Sequence, residues 1–391
     1  MTTRKKRGGI AIESGGYGCI FKPALKCKSK KKRTNGISKL SFINDSNLEM
    51  NNLNIIKKKL KKIPNYNKYF LISNITTCVP NKLTNSDKID FEKCFSLEQN
   101  DINATNINEN LNMLKIINMP YGGINLDYII DKNIIKLTKY NNLLKNLLIK
   151  AIIPMNKLNI YHFDFKSSNI LYKNNNLKII DFGELAISNN NEIPNILFNR
   201  NIQFNSPFSR ILFNDFINTY ISKAFIKFNI KSDTSYSKKE AIIYKAYNDY
   251  IKINGYGHQI FLSKFLLPII FDLIPKKLLN KILNYFNNNL DYEYIINNWI
   301  VKYCLFVILK YFDYDIMKID QQRYFKEVYS KNVDIYGFMT CYIPIILTKN
   351  TYTNNIKVKI SNILLKYCFN PYYAVNPIPI KTLLYDLNRL I

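Results

Sequence analysis

Within residues 160–183 of this 391-residue chain, ionisable and amide side chains fall at spacings that phosphate chemistry requires. The first half of the stretch reads His162-Phe163-Asp164-Phe165-Lys166, with Asn169 three residues on, and the second half ends in Asp181-Phe182-Gly183. Between them, the β-prone runs Ile170-Leu171-Tyr172 and Leu177-Lys178-Ile179-Ile180 flank Asn174-Asn175-Asn176. Asn tolerates the left-handed backbone of tight turns, so the pattern predicts a hairpin. Such a hairpin turns Asp181 back towards Asn169. A carboxylate and an amide oxygen, both hard oxygen ligands, then suit Mg²⁺.

These residues resemble the protein-kinase family. HFDFKSSN fits the catalytic-loop pattern H-R-D-L-K-x-x-N, and DFG is present unaltered. The resemblance implies that Asp164 is the base accepting a substrate hydroxyl proton, and that Asn169 and Asp181 are the metal ligands. Lys166 resembles the lysine of Ser/Thr-specific members that contacts the transferred phosphate. The family's Arg is replaced by Phe163, and the implied consequence is activity that does not depend on phosphorylation of the activation loop.

Other elements must position this chemistry. Ile10-Ala11-Ile12 and Cys19-Ile20-Phe21 read as strands around a glycine turn, and glycine lets backbone N–H groups approach phosphate. Aligned on Gly15, Gly18 and Ile20, the turn resembles the kinase loop G-x-G-x-x-G-x-V, with Glu13 at the first glycine; Ser14, Gly15, Gly16, Tyr17, Gly18 and Ile20 would then hold the nucleotide. Lys39, on the predicted strand Ile37-Ser38-Lys39-Leu40, takes the place of the phosphate-binding lysine in V-A-I-K. Glu49 is its expected partner, on an amphipathic helix patterned by Leu48, Leu53, Ile55 and Ile56. Tyr69-Phe70-Leu71-Ile72 reads as a strand, and the polar segment 76–110 as a long loop or insertion. A strand over 114–119 runs into a turn at 120–126 that resembles the hinge between kinase lobes, where Met119, Tyr121 and Gly122 would bind adenine.

Leu143, Leu144, Leu147, Leu148, Ala151, Ile152 and Met155 repeat at helical spacing and predict a core helix before the catalytic loop. After DFG, Asn205-Ser206-Pro207-Phe208-Ser209 takes the place of the family's A-P-E, without the Glu. A helical, aromatic-rich insertion follows at about 215–329, matching nothing in ordinary kinase lobes. Asp334 resembles the aspartate that holds the catalytic-loop backbone, and 356–391 reads as terminal helices interrupted by Pro371, Pro377 and Pro379.

The formal charge of +28 sets a field that attracts acidic proteins, nucleic acid and anionic membranes, in a salt-dependent way. No recognisable nucleic-acid module accompanies it. Asn, Ile, Lys and Tyr, all written with A/T-rich codons, crowd the chain, so much of the basicity is expected to spread over the surface. The seven cysteines are widely spaced without a CxxC pair, which predicts neither zinc nor a disulfide framework and fits a reducing compartment. The most apolar stretch, 260–275, carries Lys264, Pro268 and Asp272 and reads as a buried helix rather than a membrane span.

The expected fold is α+β and bilobed: a β-rich N-lobe over 1–119, a hinge at 120–126 and a mainly helical C-lobe over 127–391 with the insertion inside it. The resemblance implies ATP between the lobes, Mg²⁺, and transfer of the γ-phosphate to Ser or Thr of protein substrates, with acidic ones favoured by the charge. Two rival readings are a kinase-fold enzyme acting on a small molecule and a non-catalytic basic scaffold. Composition, insertions and the altered A-P-E segment resemble the kinases of large cytoplasmic DNA viruses, implying an intracellular place in host cytoplasm or virion.

Overall fold

The computed structural model describes residues 9–15, 18–29, 36–189, 192–198 and 200–391. Gly16 and Tyr17 of the glycine turn lie outside the described residues. The chain forms two compact units, Met1–Gly123 with Lys178–Gly183, and Ile124–Leu177 with Glu184–Ile391. The first is built on a β-sheet and the second is mostly helical, so the α+β class expected from the sequence is the one observed.

In the first unit, β1 (Ile10–Gly15), β2 (Gly18–Lys22), β3 (Ile37–Phe42), β4 (Thr76–Cys78) and β5 (Leu114–Met119) form one antiparallel sheet in the order β1-β2-β3-β5-β4. Alternation drives it: Leu40, Ile116 and Phe21 turn to one core and are buried. Helix α1 (Ile43–Leu60) leaves β3 directly, and Lys57, Lys58 and Lys59 in its last turn complement the helix dipole. Its buried face carries Ser46, Leu53, Ile56 and Leu60, whereas Leu48 and Ile55 are exposed, which corrects the predicted stripe. The face follows the true helical phase from Leu53 through Ile56 to Leu60.

Two further expectations for this unit are corrected. Tyr66–Tyr69 is a short helix, and Phe70 makes only an isolated parallel bridge to Ile179, so 69–72 is not a strand. The segment 76–110, expected to be a long loop or insertion, is folded: 76–78 is β4, and the rest is a cap of short helical turns whose Leu83, Phe91, Leu97, Ile102 and Ile107 pack on the β1-β2 core. Disulfides Cys19–Cys94 and Cys27–Cys78 fasten it to that core, so four of the seven cysteines are paired, and Cys304, Cys341 and Cys368 are free and buried. The cysteine pattern therefore gives no support for a reducing compartment.

In the second unit, β6 (Ile124–Asn125) precedes α2 (Leu126–Asp131), whose N-cap Asn125 accepts from the Tyr128 N–H at 2.9 Å. The predicted apolar stripe lies on α3 (Leu137–Leu147), which continues through a π turn at Leu148–Ile152 into Ile153–Lys157. Pro154 lacks the N–H that would bond the Lys150 carbonyl, and a one-residue slip of the ladder accommodates it. The same pairing recurs at Pro268 after the π turn Leu262–Leu266, in the stretch expected to be a buried helix; it is helical with Leu262, Leu266, Leu267 and Ile270 buried, whereas Ile260 and Phe265 are exposed. β7 (Ile160–Tyr161) introduces the catalytic-type loop. β8 (Ile170–Lys173) and β9 (Asn176–Ile179) form the predicted hairpin, with Asn174 and Asn175 at φ +50 and +61 in its two-residue turn.

The segment read as an insertion, about 215–329, is largely helical, led by α4 (Asp215–Lys227), α5 (Tyr236–Asn254) and α6 (Tyr292–Tyr311), with a small hairpin at Phe312–Asp313 and Lys318–Ile319. Helix α7 (Ser330–Thr340) is buried almost throughout, and α8 (Asn354–Tyr367) and α9 (Ile380–Asn388) close the chain. Among the described residues no helix is long and apolar enough to cross a membrane.

Candidate functional site

The loop that follows β7 is held from below. Asp334 on α7 is fully buried, and its carboxylate accepts from the backbone N–H of His162 at 2.9 and 3.1 Å and of Phe163 at 3.0 Å. These bonds hold Phe163 at φ +59, a conformation that a side chain with a Cβ rarely adopts. The Phe163 ring is buried 5.7 Å from that of Tyr161, and His162 packs edge-on against Phe165 at 5.4 Å. Gly337 on α7 permits the close approach: a Cβ there would sit 2.6 Å from the Phe165 carbonyl. Burial raises the Asp334 carboxyl above the ordinary range, against the lowering by His162 and the two backbone bonds.

On this base stands Asp164, 7% exposed. Lys166 Nζ lies 2.9 Å from Oδ2, Asn169 Nδ2 donates to Oδ2 at 2.9 Å, and Asn205 Nδ2 donates to Oδ1 at 2.9 Å. Burial pushes the Asp164 carboxyl up, but the charge of Lys166 and the bonds from Asn205 and Lys166 outweigh it and leave it lowered. The carboxylate is therefore ionised at neutral pH and aimed by three donors. Asn169 also donates to the Asp164 carbonyl at 2.9 Å, so its amide nitrogen is committed.

Asn205 is the contact that sequence reasoning missed. It was read as part of the A-P-E replacement, and nothing in its neighbours marks it as a partner of Asp164, 41 residues away.

Beside Lys166 the second unit opens a cleft of about 900 Å³, lined among others by Asp127, Lys166, Ser167, His258, Phe261 and Thr348. His258 and Phe261 come from the insertion, which thus supplies part of a wall. Burial raises the Asp127 carboxyl despite the opposing bond from Ser167 and the charge of Lys166.

In the first unit Lys39 Nζ pairs with Glu49 Oε2 at 2.7 Å, bringing together two residues predicted as partners. β2 pairs with β3 so that Ile20 stands opposite Lys39. Gly18 is demanded by this packing, since a Cβ would meet the Leu40 carbonyl at 2.7 Å and Lys39 Cε at 3.1 Å. Gly15 ends β1 opposite Gly18, and Ser14 Oγ lies 3.1 Å from Ser96 Oγ of the cap. Met119 ends β5 opposite Ile37, Lys22 Nζ sits 3.6 Å over the Tyr121 ring, and Gly122 follows without regular structure. Asp181 belongs to this unit, at φ +58 and exposed, with the Gly183 N–H 3.5 Å from its Oδ1.

Among the described residues no group of three or more His, Cys, Asp or Glu could hold a metal. Asn169 lies in the second unit and Asp181 in the first, and each carries an oxygen of the hard kind that Mg²⁺ takes.

No family model matches the chain, and no curated protein matches it. Among solved structures it is similar to the crystal structure of the yeast RNA Pol II CTD kinase CTDK-1 complex, at 15% identity and a TM-score of 0.29, over 63% of this chain and 64% of that one. The matched part is less than two thirds of that chain's length.

Proposed function

We propose that the chain is an ATP-dependent phosphotransferase that moves the γ-phosphoryl group to Ser or Thr hydroxyls of protein substrates. The observation that carries this reading is the Asp164 carboxylate, kept ionised and held at once by Lys166, Asn169 and Asn205. Such a carboxylate is a directional acceptor for a hydroxyl proton; its lowered basicity makes it a weak base, so this reading puts the rate in positioning and charge neutralisation. Lys166 places a cation beside the group in transfer. Lys39, steered by Glu49, supplies the cation for the α- and β-phosphates, with Ser14, Gly15, Gly16, Tyr17, Gly18 and Ile20 along their path and Met119, Tyr121 and Gly122 at the adenine. Asn169 and Asp181 are the residues that would hold Mg²⁺, and the ion would supply neutralisation of phosphate charge.

The charge of +28 supports acidic macromolecular substrates; equal phosphorylation of acidic and basic peptides at physiological salt would remove that support. The cleft of about 900 Å³ beside Lys166 favours one second reading, a kinase-fold enzyme acting on a small hydroxyl compound. One experiment separates the two: labelled γ-phosphate offered with a panel of proteins and small hydroxyl compounds. Label on protein Ser or Thr supports the first reading, and label on small compounds alone replaces it with the second.

A further inference from the structure

The insertion has no counterpart in the motifs of this chain, yet it makes a set of bonds with one short segment. Asn201 Nδ2 donates to the Asn254 carbonyl at 2.6 Å, and the His258 N–H donates to the Ile202 carbonyl at 2.9 Å. Tyr250 Oη donates to the Arg200 carbonyl at 3.3 Å and to Asn201 Oδ1 at 3.4 Å. The Phe204 N–H donates to His258 Nδ1 at 3.4 Å, and the Phe204 ring packs on His258 at 5.2 Å and on Phe261 at 5.1 Å. Gly257 makes the approach possible: it sits at φ +53, and a Cβ there would lie 2.4 Å from the Ile202 carbonyl. Burial, with Lys166 and Arg200 nearby against the opposing charge of Asp164, keeps the His258 imidazole below its ordinary range, and the Phe204 N–H directed at Nδ1 makes that nitrogen the acceptor of the neutral ring.

The next residue after Phe204 is Asn205, which is 1% exposed and donates to Asp164 Oδ1 and, at 3.2 Å, to the Phe165 carbonyl. The bonded path thus runs from the insertion through 201–204 to the carboxylate proposed as base. We infer that the insertion is an internal clamp: its loop 254–258, at the end of α5, fixes 201–204 so that Asn205 is held on Asp164, with His258 as the positioning residue at the contact. The clamp does mechanically what an outside activator or a covalent modification of that segment would otherwise have to do. Its effect on rate rests on the phosphotransfer reading above; the clamp itself does not.

His258→Phe keeps an aromatic ring against Phe204 and Phe261 but removes the acceptor for the Phe204 N–H, whereas His258→Asn puts an amide oxygen near the Nδ1 position. Tyr250→Phe, which deletes one hydroxyl, gives an independent variant should His258→Phe fold poorly. Hydrogen exchange over 201–206 is measured on the full chain, together with kcat and the KM for ATP. The expected result is exchange about 5- to 10-fold faster in His258→Phe, the equivalent of one lost hydrogen bond. A kcat lower by a similar factor with an unchanged KM for ATP, and recovery of both readings in His258→Asn, complete the expectation. Exchange over 201–206 unchanged in both His258→Phe and Tyr250→Phe overturns the clamp. A native chain that transfers no phosphate while its His258→Phe variant exchanges faster leaves the clamp standing and removes the reaction it was proposed to serve.

Discussion

Asp334 is the residue whose loss should be felt most sharply, because two backbone N–H groups of the loop end on its buried carboxylate. In Asp334→Ala the amides of His162 and Phe163 lose their acceptor in a region that excludes water. Each orphaned amide costs about 1–3 kcal/mol, and the small cavity adds to it, so the second unit should lose about 3–5 kcal/mol. Asp334→Asn retains one oxygen acceptor and sheds a charge whose burial was itself unfavourable, so its loss should be about 1–2 kcal/mol. Trp299 is the one tryptophan of the chain and lies buried in the second unit, so its fluorescence in urea reports that unit. With a denaturant slope of about 2–3 kcal/mol per molar, the Ala variant should unfold about 1.5 M earlier and the Asn variant about 0.5 M earlier. An Ala variant within about 0.3 M of the native chain, or indistinguishable from the Asn variant, would refute the claim that this carboxylate holds the loop.

Other consequences can be measured separately. Cys94→Ser opens a loop of 75 residues, for which chain entropy gives an upper figure of about 4.5 kcal/mol, so protease resistance of 9–123 should fall while the Trp299 transition stays in place. Lys39→Ala removes one partner of a part-buried pair whose side chains are 16% and 28% exposed, so it should cost about 1–3 kcal/mol, and it should abolish the thermal stabilisation given by Mg²⁺ and ATP. Asp164, with its pKa lowered below 3.8, contributes stability that is complete above the unfolded value and is lost as pH falls through the folded one. A rate profile between pH 5.5 and 8 should therefore show no acid limb due to Asp164, and a limb in that window that vanishes in Asp164→Asn while residual activity remains would contradict the lowered value.

What could be read from the chain alone was what neighbouring residues encode together. The hairpin was legible because consecutive asparagines mark its turn, and the loop before it because five chemically distinct positions stand in one short run. The helix α3 followed from apolar period and the helical stretch around Pro268 from its length and its interrupting charges, although the π turns that the prolines impose did not. Leu48 and Ile55 misled because both are apolar on a helix whose face is set by what β3 and β5 offer, and Phe70 misled because one bridge does not make a strand. The cap over 76–110 was missed because its apolar residues follow neither helical nor strand period; tertiary packing and two long-range disulfides shape it. Asn205 and His258 were missed for the same reason, since their contacts with Asp164 and Phe204 span 41 and 54 residues.

The most direct test of the account is transfer of labelled γ-phosphate from ATP with Mg²⁺ to protein, comparing the native chain with Asp164→Asn at equal folded concentration. The account predicts label on Ser or Thr with the native chain and a loss of at least about 100-fold in the variant, the size expected for removing a positioned base. Equal transfer by both chains, or none by the native chain while ATP and Mg²⁺ still raise its melting temperature, would contradict the role assigned to Asp164.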